Sequence, residues 1–116
     1  MIKTLGKLML FGMVFAACAY ENEEELFGEN LCDPQTTTYS GVIQPIIATN
    51  CAISGCHDGG NTLPDWSVLN NVQNSAALIK QRTSNRTMPP SNANVSLSAE
   101  EIDQIACWVD SGAQNN

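Results

Sequence analysis

The stretch CAISGCHDGG, residues 51–60, puts two thiols and an imidazole in one short loop: Cys51, Cys56 and, directly after it, His57. That order suits the covalent attachment of haem. Two thiols add across the two vinyl groups of a porphyrin, and an imidazole next to the second cysteine is close enough to take the iron from one face. Four residues, Ala52 to Gly55, separate the cysteines here, where the common form has two. Gly55 gives the wider loop the backbone freedom to bring both sulfurs to one haem edge. The same residues can also be a redox-active or structural cysteine pair beside an unrelated histidine. Zinc suits them less, because His57 is the only histidine in the chain and Asp58 would have to complete a mixed site.

The elements that must position this loop read as helices. Val42, Ile43, Ile46 and Ile47 recur at helical spacing and lead into Asn50 and Cys51, with Pro45 expected in the first turn. Residues 58–64 are rich in Gly, Asn and Asp and read as loop. Residues 67–82 carry a weaker helical pattern through Val68, Leu69, Val72, Ala76 and Ile79. The last element is better marked: Ser98 followed by Glu101 has the form of a capping box, Ile102, Ile105, Ala106 and Val109 give one apolar face, and Gly112 stops the helix. No strand pattern competes and no internal repeat is present. The expected class is all-α, about three helices in one domain over residues 39–116. A chain this short buries little apolar surface, and a covalent group in its middle is an effective staple.

The order of helix, Cys-x4-Cys-His, loop, helix, Met-Pro-Pro and C-terminal helix resembles a single-haem class I cytochrome c domain, and the resemblance covers residues 39–116. It implies a cytochrome c-like fold around one covalent haem c, with the N- and C-terminal helices crossing and packing together. It also implies Cys51 and Cys56 as attachment points, His57 as proximal ligand and Met88 as distal ligand. The other three methionines, Met1, Met9 and Met13, all precede residue 18. Pro89 and Pro90 restrict the backbone at and after Met88, which favours an extended loop. Without the haem motif, Met88 reads as a core filler.

The N-terminus bears on compartment. Lys3 and Lys7 precede the apolar run 8–17, and Val14-Phe15-Ala16-Ala17 leads directly to Cys18. This looks like a bacterial lipoprotein signal, which implies cleavage after residue 17 and lipid on Cys18, so that the mature protein sits at a membrane surface. An ordinary secretory signal is the plainer reading; the run is short for a membrane span. The resemblance places the protein outside the cytoplasm, on the periplasmic side or at the outer membrane, the cell surface included. Residues 18–38 then form an acidic tether carrying Glu21, Glu23, Glu24, Glu25, Glu29 and Asp33 without a basic residue. Such a run also looks like the surface-export signals of some Gram-negative lipoproteins, although a spacer repelled by anionic headgroups fits it equally. The mature chain keeps Lys80, Arg82 and Arg86 against twelve carboxylates, a net charge of -9, which excludes nucleic acid as a partner.

With Cys18 lipidated and two cysteines on haem, Cys32 and Cys107 remain, and in an oxidising compartment they can form a disulfide. Other pairings are open on sequence alone: if Cys51 bonds to Cys32 or Cys107, haem hangs from Cys56 by one thioether. Tyr39 and Trp108 read as packing residues where the terminal helices meet. Trp66 is a candidate to cover a haem edge, and Lys80, Arg82 and Arg86 to line the crevice or meet a propionate, with solvated surface charge the plainer reading of all three. His/Met ligation leaves no open iron position, so the expected role is single-electron transfer with redox partner proteins, not catalysis. Two other classes fit less of the sequence: a disulfide-stapled lipoprotein without haem that serves as an interaction module, and a gas-binding haem sensor in which Met88 is not a ligand.

Overall fold

The computed structural model describes residues 32–116. The signal segment, Cys18 and the acidic stretch behind it as far as residue 31 lie outside the described residues. The described residues are helical, with no strand.

The chain enters through a turn built on Asp33, whose carbonyl accepts from the amides of Thr36 and Thr37 at 3.1 and 2.8 Å. The Thr38 side chain then caps a π-helical turn, Tyr39–Ile43, by accepting from Gly41 N–H at 3.1 Å. A Cβ on Gly41 would sit 2.8 Å from that hydroxyl oxygen, so the cap requires glycine there. The turn runs directly into helix α1, Gln44–Asn50. Pro45 stands near the start of α1, as its residue type asks. It lacks the N–H that an unbroken α-helix would send back to Gly41, and the turn before it is widened to the π pattern.

Where the sequence suggests one helix over 67–82, the chain forms two: α2, Leu69–Asn74, and α3, Ala76–Ser84. Ser75 breaks them with φ -99° and ψ 0°. Asn70, Asn71, Asn74 and Ser75 are weak helix formers that offer the backbone local alternatives, and the break lets Val72 and Ile79 both reach the core. Val68, placed on the apolar face by its spacing, is exposed instead.

Helix α4, Ala99–Asp110, has the full capping box: Ser98 Oγ accepts from Glu101 N–H at 3.1 Å, and the Glu101 carboxylate accepts from Ser98 N–H at 2.8 Å. It ends in a Schellman motif, with Gly112 N–H on the Val109 carbonyl, Ala113 N–H on the Trp108 carbonyl, and Gly112 at φ 103°. Its deepest residues are Ile102, Ile105, Cys107 and Trp108, while Ala106 and Val109 are half-buried.

Helix α4 packs on α3 on one side and on the π-helical turn on the other. The core holds Ile43, Ile47, Val72, Ile79, Ile105 and Trp108 almost without exposure. Tyr39 and Trp108 meet with ring centroids 5.6 Å apart. The Trp108 indole N–H donates to the Gln114 carbonyl at 2.9 Å, and Asn116 accepts from the amides of Tyr39 and Ser40. The two ends of the described chain are thereby locked together. The bond between Cys32 and Cys107 adds a covalent link there, so residues 32–38, read from sequence as the end of the tether, are fastened to the helical unit, and Thr37 is buried.

Candidate functional site

Helix α1 delivers Asn50 and Cys51 to the site, and the chain then turns back on itself. Cys51 and Ala52 N–H both donate to the Ile47 carbonyl, Cys56 N–H donates to Ile53, and His57 N–H reaches back to the Cys51 carbonyl at 3.0 Å. The wide spacer is absorbed by the turn over residues 53–56, in which Gly55 has φ 82°. Nothing lies within 4 Å of where its Cβ would be, so glycine is needed there for the backbone and not for space. A left-handed conformation costs other residues about 1 to 2 kcal/mol.

The loop that follows His57 is fixed by its own polar side chains. Asn61 donates to the Cys56 carbonyl and accepts from Leu63 N–H, and Asn71 donates to the Asp65 carbonyl at 2.9 Å. The Asp65 carboxylate accepts from the Ser67 hydroxyl and amide, and these bonds hold its pKa below the ordinary value. As a result the Pro64 carbonyl stands 3.0 Å from His57 Nδ1. A carbonyl can only accept, so Nδ1 carries a proton, and in the neutral ring Nε2 is the nitrogen whose lone pair is left for a metal.

At the end of α3 the Arg82 carbonyl accepts from Thr87 N–H and Met88 N–H, at 2.9 and 3.1 Å, and this brings Met88 round to the same place. Ala93 N–H closes a further turn on the Pro90 carbonyl.

These segments enclose a cavity of about 180 Å³ whose lining includes Cys51, Cys56, His57, Met88 and Trp66. Leu63, Pro89, Pro90, Ala93 and Val95 make most of the remaining wall apolar, and Asn50 and Gly55 complete it. The four residues singled out from the sequence, drawn from two distant parts of the chain, thus share one cavity. The residues fit a haem. The donor set is an imidazole with a free Nε2 and a thioether, two thiols lie beside them, and the walls are apolar. The Trp66 indole N–H is buried without a partner among the described residues, a donor that a porphyrin carboxylate would satisfy. The cavity is smaller than the roughly 300–1,000 Å³ usual for clefts that hold cofactors, and it is open to solvent where Leu63 and Met88 are exposed.

The two thiols differ. Cys51 is buried, and burial pushes its thiol up to about 11, with Cys56 and the Glu101 carboxylate adding to the shift. It is therefore protonated at neutral pH. Cys56 is half-buried, and neither cysteine is in a disulfide. No three Cys, His, Asp or Glu side chains among the described residues come together in metal-binding geometry.

The flanking residues separate into the cations, which take the plainer of their two sequence readings as surface charge, and Trp66, which joins the cavity lining. Lys80, Arg82 and Arg86 do not line the cavity: Lys80 pairs with Asp110 on α4 at 2.5 Å, and both arginines point to solvent. Being partly exposed, that pair contributes roughly 0 to 1 kcal/mol. Trp66, a candidate haem-edge cover, lies with its ring flat on the His57 imidazole, centroids 3.6 Å apart and planes 1° from parallel. Spacing along the sequence gives no sign of this contact, because it depends on the path of the whole loop between the two residues. No protein-family model, curated protein or solved structure matches this chain.

Proposed function

We propose that the protein is an exported, lipid-anchored electron carrier with one covalent haem c. The observation that carries this reading is the convergence of Cys51, Cys56, His57 and Met88 on one apolar cavity, with His57 Nδ1 committed to Pro64 and Nε2 left free. When bound, haem supplies the one-electron couple of its iron. Cys51 and Cys56 would hold it by thioethers, His57 by Nε2 and Met88 by its thioether sulfur. The apolar wall excludes water, and a methionine ligand favours the ferrous state and raises the potential. With His57 and Met88 both engaged, the group would have no open position for a substrate, which suits electron transfer to partner proteins and not turnover.

Attachment is the test. Protein unfolded in denaturant keeps its haem and shows no reactive thiol at Cys51 or Cys56, with the absorption of a porphyrin whose two vinyl groups are saturated. Haem released by acid-acetone would refute covalent attachment. A red-shifted spectrum with one free thiol would assign the bond to Cys56 alone.

Anchorage is tested separately. Cys18→Ser is expected to move the protein from the membrane fraction to the soluble fraction while it stays red, since none of the cavity residues lies near position 18 in the chain. Retention in the membrane would remove the lipid from the proposal and leave the haem site untouched.

A further inference from the structure

We infer that Trp66 is a positioning residue that fixes the plane of the His57 imidazole. This rests on His57 being the iron ligand. The hydrogen bond from His57 Nδ1 to Pro64 sets the tautomer, but a ring held at one atom can still tilt about that bond. The indole removes this freedom. It covers one face of the imidazole at 3.6 Å, with the two planes 1° from parallel. The indole is itself held: its residue donates backbone N–H to the His57 carbonyl at 2.9 Å, Asn71 ties down the preceding Asp65 carbonyl, and Trp66 as a whole is 8 % exposed. Gly59 belongs to the same assembly. It has φ 78°, and a Cβ there would come within 2.6 Å of the Asp65 carboxylate, so a side chain at this point would push against the segment that carries Trp66.

The physical consequence concerns electron transfer. The azimuth of an axial imidazole decides which iron orbital it overlaps, and so the splitting of the ferric low-spin state. A ring held from rotating keeps one splitting and adds little reorganisation when the iron changes charge. A simple core filler would not need an indole. Leucine would occupy the space without laying a ring on the imidazole and without burying an N–H that finds no partner among the described residues.

The experiment compares Trp66→Leu and Trp66→Phe with wild type in the haem-loaded protein. Trp66→Leu is expected to keep covalent haem and the Met88 ligand. Its ferric electron-paramagnetic g-values should shift or broaden, and the spread of its haem-methyl proton shifts should change, because both report the imidazole plane. Trp66→Phe, which retains a ring to stack, should stay close to wild type. Wild-type g-values and methyl shifts in Trp66→Leu would overturn the inference. Should Trp66→Leu fail to fold, the ferrous wild-type protein decides: absence of through-space proton contacts between the His57 ring and the Trp66 indole would overturn it equally. A wild-type protein that carries no haem would sink the proposed function and the role in electron transfer with it, whereas the stacking of Trp66 on His57 would still be decided by the same proton contacts in the haem-free protein.

Discussion

Met88→Ala is expected to leave haem on the protein, abolish the thioether-to-iron charge-transfer band at the red end of the ferric spectrum, and lower the reduction potential. Attachment would survive because the proposed thioethers involve Cys51 and Cys56, which the substitution does not touch. The potential falls because a soft ligand that favours ferrous iron is lost, and because water gains the place it filled. Axial ligands command a span of roughly 0.8 V across haem proteins, so a fall on the order of 0.1 V is reasonable. Met88 is 37 % exposed and its backbone hangs from the end of α3 by bonds to the Arg82 carbonyl, so the side chain can be removed without opening the core. Unchanged absorption and potential would show that Met88 does not bind iron. The site would then have an open or differently filled distal position, as a gas-binding haem protein requires.

What the sequence made legible follows from the range of the interaction concerned. The capping box of α4 was readable because Ser98 and Glu101 satisfy each other's backbone across three residues, and the helix end was readable because Gly112 takes a conformation that other residues avoid. The apolar spacing around Ile43 and Ile47 marked a helix in the right place, but not its π-helical beginning, which depends on how Pro45 meets the turn before it. The split at Ser75 was hidden for a related reason: Val72, Ala76 and Ile79 keep helical spacing on both sides of a break that asparagine-rich local sequence permits.

At the site, residue types named Cys51, Cys56, His57 and Met88, since each carries chemistry that few other residues can supply. The supporting contacts were not legible. Pro64 acts through a carbonyl that every residue has, and Trp66 through a ring position that only the folded loop creates. For Lys80 the plainer reading as surface charge holds, but its partner was not legible, because closeness in sequence to Met88 says nothing of direction: α3 turns it toward α4, where Asp110 receives it.

Replacing Cys32 and Cys107 together by alanine is expected to lower the folding free energy by about 4 kcal/mol, the chain-entropy value for a closed loop of this size. The bond spans 75 residues and enters the core at Cys107, which is 3 % exposed beside Trp108. The contacts it supports are those that lock the two ends together: Tyr39 on Trp108, Asn116 on Tyr39, and buried Thr37. None of these residues lines the cavity. The variant should therefore unfold at lower denaturant concentration while its haem spectrum, Met88 band included, stays as in wild type. Dithiothreitol provides an independent route to the same state, because thiol reductants open disulfides and leave thioethers intact. Reduced wild-type protein should match the double variant in its unfolding midpoint. A loss below about 1 kcal/mol would mean that the non-covalent clamp already holds the ends without the bond. A change in the Met88 band would mean that the two ends of the molecule are mechanically joined, and that the cysteine pair reaches the iron site through α4.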